Sequence, residues 1–175
     1  MSIQRFSMFT FFKSRLFIAA CTIISIAGMQ SCTTSPYYQK QDAIPGAKWD
    51  YSFQPVYKIN IPDSGYKYAT YLLVRHDEAY KFSNIWIRMK VKAPGDTAFS
   101  EGVRIDRTIA DASGKWQSNA MAVGGIWEHK MPINAKEISL FSKPGMYEIK
   151  LEQVMRVNPL PSVINVGLRV ERLGK

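Results

Sequence analysis

From residue 49 onward the chain alternates between apolar and polar positions. Tyr57, Ile59 and Ile61 enclose Lys58 and Asn60. Ile85, Ile87, Met89 and Val91 interleave with Trp86, Arg88, Lys90 and Lys92. Val103 and Ile105 alternate with Arg104 and Asp106. Tyr147, Ile149 and Leu151 alternate with Glu148, Lys150 and Glu152. Ile164, Val166, Leu168 and Val170 alternate with Asn165, Gly167, Arg169 and Glu171. A period of two sends successive side chains to opposite faces of a strand, so each run predicts a strand with one buried and one wet face. The run Tyr66–Val74 is nearly all apolar and aromatic, the pattern of a strand covered on both faces. Turn signals fall between the runs: Pro62-Asp63-Ser64-Gly65, Pro94-Gly95-Asp96, Asp111-Ala112-Ser113-Gly114, Lys143-Pro144-Gly145 and Asn158-Pro159-Leu160-Pro161. Together they predict an all-β fold, a single antiparallel β-sandwich of jelly-roll or Ig-like type, over residues 49–175. Asn134 and Glu137 have capping-box spacing, which predicts a short helix within 134–141.

The pattern before residue 49 is different. Arg5, Lys13 and Arg15 precede the uncharged stretch Leu16–Met29, and residues 1–31 contain no acid. A spanning helix needs about 20 apolar residues, so this stretch is short for a permanent anchor. A basic segment followed by a short apolar one is the secretory signal layout. It ends in Gln30-Ser31-Cys32, a small residue before a cysteine, which resembles the lipobox of bacterial lipoproteins. There the chain is cut before the cysteine, the thiol carries diacylglycerol and the new amine is acylated. Ile18-Ala19-Ala20-Cys21 fits the local pattern too, but too few residues separate Arg15 from Cys21 to form the apolar segment. Residues 1–31 are therefore expected to be a lipoprotein signal peptide, with Cys32 as the lipidated residue. Residues 32–48, rich in Thr, Ser, Gln and Lys, are expected to form the lipidated N-terminus and a flexible tether. The sixteen residues 33–48 would reach at most about 55 Å when extended.

Composition then separates precursor from product. The full chain carries 23 Lys+Arg, 14 Asp+Glu and a net charge of +9. Removing 1–31 takes away three basic residues, leaving +6 and a single Cys. That leaves no disulfide framework and no multi-cysteine zinc site. The +6 charge in an exported chain suits anionic headgroups or an acidic partner, not nucleic acid. Arg88, Lys90 and Lys92 share one strand face with Trp86, and these four form the candidate interaction surface.

Residues with catalytic or metal-binding chemistry are few. The sequence has no Gly-x-Ser-x-Gly elbow, His-Glu-x-x-His or Walker loop. His76-Asp77-Glu78 reads as a solvated loop before Tyr80, since neighbours on a strand end point to opposite faces. His129, between Glu128 and Lys130, reads as equally ordinary. No catalytic residue, metal ligand, cofactor or small-molecule substrate is expected beyond the covalent lipid on Cys32. The rival to a protein-contact role is a glycan-binding surface built from exposed Trp or Tyr. Two or three coplanar exposed rings around a groove would mark it, whereas a flat apolar or basic patch marks a protein partner.

Three stretches carry a resemblance. They are Tyr71-Leu72-Leu73-Val74-Arg75 through Tyr80, Asn84 and Ile87; Gly114-Lys115-Trp116 with Gly124-Gly125-Ile126-Trp127; and Phe141 through Gly145, Tyr147, Glu152-Gln153-Val154-Met155-Arg156, Leu160-Pro161 and Val166-Gly167-Leu168-Arg169-Val170-Glu171. In this order and spacing, behind a lipoprotein signal, they resemble the gliding motility lipoprotein family GldH. The resemblance implies a non-catalytic cell-envelope lipoprotein that contacts other gliding or secretion proteins. The stretch after Cys32 lacks the acidic run that accompanies surface export in such bacteria. It therefore implies an outer-membrane anchor facing the periplasm.

Overall fold

The alternating runs become strands in the computed structural model, which describes residues 35–174 except 64, 118, 119, 135–137 and 139, and only the backbone of 120–123. The signal segment and Cys32 lie outside the described residues. Eleven strands are present among the described residues: β1 (Tyr38–Ala43), β2 (Lys48–Trp49), β3 (Val56–Ile61), β4 (Lys67–Asp77), β5 (Asn84–Lys92), β6 (Val103–Thr108), β7 (Ala120–Val123), β8 (Ile126–Ile133), β9 (Gly145–Gln153), β10 (Leu160–Pro161) and β11 (Val163–Gly174). All named pairings are antiparallel. One sheet runs β1-β11-β4-β8-β7, a second β3-β9-β5-β6, and β2 pairs with β10.

The order decides between the two sandwich types. Without the short β2, β7 and β10, the remaining eight strands, counted along the chain, form sheets 1-8-3-6 and 2-7-4-5. That interleaving of early and late strands is the double Greek key of a jelly roll. Inner-face residues from both sheets form one core. Tyr57, Ile59, Ile61, Ile85, Ile87, Met89, Ile149 and Leu151 come from the second sheet, and Leu72, Val74, Met131, Val166, Leu168 and Val170 from the first. Full burial of such side chains contributes about 1.5–3 kcal/mol each. The Tyr57 hydroxyl donates to Val166 O at 2.9 Å, joining the two layers.

Two expectations are corrected. Residues 33–48 are not all tether: Tyr38–Ala43 pairs with β11 from Val170 to Asn165, and Ile44 enters the core. An edge strand is held largely by its backbone ladder, so Gln39, Lys40 and Gln41 can occupy it without an apolar pattern. The domain therefore begins near Tyr38 rather than Trp49. The apolar run in β4 also has a different cause. Leu73 on its outer face is buried, but long side chains flank it instead of a second layer. Lys130 lies 4.0 Å over the Tyr71 ring, Arg75 pairs with Glu128 at 3.3 Å, and Lys130 and Arg169 share Glu171 at 2.6 Å. Half of the residues of the helix expected within 134–141 lie outside the described residues. Among the described residues there, Ile138 N–H donates to Asn134 O at 3.2 Å.

Candidate functional site

Strand alternation places Trp86, Arg88, Lys90 and Lys92 together on the outer face of β5, opposite buried Ile85, Ile87 and Met89. The register then supplies their neighbours. Lys92 lies beside Glu148, and Glu148 beside Lys58; Lys90 lies beside Lys150; Arg88 lies between Glu152 and Arg104; Trp86 lies beside Asp106. The face thus carries six basic and three acidic side chains.

These four residues differ in what they can do. Glu152 is only 7% exposed and accepts from Lys90 at 3.0 Å, with Arg88 at 3.8 Å. Arg88 and Lys90 therefore compensate a nearly buried carboxylate as well as charging the surface. Trp86 is half-buried and covered: the Arg104 guanidinium sits 4.7 Å from its ring centre, and its backbone N–H donates to Met155 Sδ at 3.2 Å. Lys150 covers Phe99 at 4.4 Å. Among the described residues Tyr51 is the one exposed aromatic, and its hydroxyl is bound to Met155 O at 2.6 Å. No row of coplanar exposed rings is present among the described residues. The face has an open depression of about 290 Å³ at one end, lined by Tyr51, Gln54, Arg88, Glu152, Gln153 and Val154.

Two residues read as ordinary in the sequence come together inside the fold. His76 and His129 are both 0% exposed, on the inner faces of β4 and β8, with their Nε2 atoms 2.9 Å apart. His76 is thus a core residue, not part of a solvated loop. A signal for this exists: His76 is in phase with inward Leu72 and Val74, and His129 with Met131 and Ile133. His76 Nδ1 lies 2.7 Å from Asp77 O, a carbonyl that can only accept, so Nδ1 holds the proton. His76 Nε2 is then the acceptor and His129 Nε2–H the donor. Trp116 and Tyr80 pack on His76 at 4.4 and 5.0 Å. Neither ring can reach a solvent-borne substrate.

Burial disfavours both imidazolium forms. His76 is shifted downward, and His129 falls from the ordinary 6.5 to about 4, by burial and then by His76. Between these values the unfolded chain binds protons that the fold refuses, so stability present above pH 6.5 is lost as pH falls toward 4. A loss of about 3 kcal/mol is expected over that range. Urea midpoints measured against pH should show it. His129→Gln, which keeps an N–H donor for His76, should flatten the slope; an unchanged slope would remove the pair as its cause.

Residues 36–170 match the GldH lipoprotein family. The chain belongs to the GldH lipoprotein family. A protein named gliding motility lipoprotein GldH homolog, from Christiangramia forsetii, is 25% identical over 157 residues, covering 86% of this chain and 92% of that one. GldH proteins are gliding motility lipoproteins, so a lipid anchor belongs to the family. Among solved structures, a non-crystalline cellulose specific carbohydrate-binding module, CBM28, is similar at a TM-score of 0.43 and 12% identity, covering 78% of this chain and 73% of that one.

The third family-like stretch also has a visible structural role. Gln153 is buried. Its Nε2 lies 3.3 Å from both Trp49 O and Asn158 Oδ1, and its Oε1 accepts from Met155 N–H at 2.9 Å. Asn158 in turn accepts from Tyr51 N–H at 2.8 Å and donates to Asp50 at 3.0 Å. Gln153 thus ties the segment after β2 to the segment after β9.

Proposed function

We propose that this protein acts without catalysis, as a lipid-anchored contact element of a gliding and secretion assembly, on the periplasm-facing side of the outer membrane. The observation that carries the contact reading is the outer face of β3-β9-β5-β6. Its six basic side chains outnumber three acidic ones. Such a face suits an acidic protein surface, which it would steer and orient by charge. The family supplies the motility setting and the lipid.

Lys58 and Lys92 flank Glu148 and stand apart from the Glu152 cluster, so they test contact without disturbing the buried carboxylate. Lys58→Gln/Lys92→Gln should change the urea-derived stability by less than about 0.5 kcal/mol per site. It should reduce capture of gliding and secretion proteins from detergent-solubilised envelopes about tenfold, a loss of about 1.4 kcal/mol. Equal capture by wild type and variant would remove this face from the contact.

A further inference from the structure

The lipid-anchored reading also orients the domain. Tyr37 lies five residues after Cys32, and five residues span at most about 17–18 Å. Since β1 starts at Tyr38, the end of the sandwich beside Tyr37 must stay near the lipid. That end has a distinct surface. The Arg172 guanidinium lies 4.9 Å from the Tyr37 ring centre and 4.4 Å from that of Tyr66. Tyr37 Oη–H donates to Asn60 O at 2.6 Å, which brings the end of β3 to the same place, with Met146 opposite Asn60. Leu173 is 63% exposed and Met146 50%, the two largest exposures among the described large apolar side chains. Lys67, opposite Gly174, is exposed as well. Asp63, in the neighbouring loop, is occupied in part by the Gly65 N–H at 2.7 Å.

We propose that the end formed by Tyr37, Tyr66, Lys67, Met146, Arg172 and Leu173 rests in the headgroup layer of the membrane that holds the Cys32 lipid. Tyrosines have an apolar body and a polar tip that match this layer. Lys67 and Arg172 meet lipid phosphates, and Leu173 and Met146 lose their exposure to water. This inference rests on lipidation at Cys32.

The four tryptophans provide a ruler. Trp49 pairs with Leu160, Trp127 lies opposite His76, Trp116 packs on His76, and Trp86 lies beside Asp106. All are toward the opposite end of the sandwich, whose longest strand, β11, has 12 residues and spans about 40 Å. The lipidated protein is placed in phosphatidylcholine vesicles containing a headgroup-spin-labelled lipid, and tryptophan quenching is read. Wild type should be quenched weakly. Leu173→Trp should gain quenching of about one tryptophan's share of the emission, and Tyr51→Trp, at the far end, should not. Equal quenching of the two variants would overturn the orientation. Vesicle flotation separates the causes: wild type that floats without this difference refutes the seating alone, and wild type that does not float refutes the lipid anchor and the seating with it.

Discussion

Cys32→Ala is expected to abolish incorporation of labelled palmitate and to remove the protein from the outer membrane. The thiol is the only atom at this position that can accept diacylglycerol, and Ala offers no substitute. The energetic consequence is large. Each buried methylene contributes about 0.8 kcal/mol, one chain gives only marginal binding, and stable anchoring takes two signals. A three-chain anchor replaced by none should shift the chain from almost wholly membrane-bound to unanchored in that leaflet. The variant should also keep residues 1–31, because cleavage follows lipidation. That segment offers only the uncharged stretch Leu16–Met29, short of the roughly 20 residues of a spanning helix. Fatty-acid labelling and the mass of the mature chain check this. Label retained in Cys32→Ala but lost in Cys21→Ala would move the acceptor to Cys21.

Gly167→Val should detach β1. Gly167 lies opposite Gln41 in the β1–β11 ladder and opposite Leu73 across β4. A side chain there would run into the Lys40 carbonyl oxygen and come within 2.8 Å of Gln41 Cα. Both are backbone atoms, which cannot rotate away. A loss of about 3 kcal/mol is expected, at the upper end for overpacking. Amide protons of 39–43 should exchange much faster, while those of β4 and β8 stay protected. Freed of β1, the segment between Cys32 and Lys48 would become a long tether, and the domain would no longer be held close to the membrane. Unchanged urea midpoint and unchanged protection in β1 would show that the ladder tolerates the added bulk.

The sequence revealed strands wherever burial is one-sided and failed where something else holds the chain. The run 85–92 showed its faces directly, since Ile85, Ile87 and Met89 pack inward and Trp86, Arg88, Lys90 and Lys92 do not. β1 was hidden because an edge strand is held by backbone bonds, which leave Gln39, Lys40 and Gln41 free to be polar. The jelly-roll order could not be read at all. It depends on which strands lie side by side, and β1 with β11 joins the two ends of the domain. The histidine pair was missed for the same reason: 53 residues separate His76 from His129, and only their phase within two strands connects them. Glu152 also looked like one more outward charge. Its burial comes from the side chains of β5, not from its own neighbours in sequence.

The same distinction applies to the interaction face. Alternation placed the basic stripe on one side, but it did not show that Arg88 and Lys90 are engaged with Glu152 or that Trp86 lies beneath Arg104. The proposed contact surface is therefore broader than β5. It includes Lys58 on β3 and Lys150 on β9, and its charge is the balance of the whole sheet.

The contact role is tested most directly by deletion of the gene in the parent bacterium, with colony spreading, protein secretion and glycan uptake measured together. Spreading and secretion should fail in the deletion strain, wild type should restore both, and Cys32→Ala should restore neither. Normal spreading and secretion with impaired glycan uptake would contradict this role.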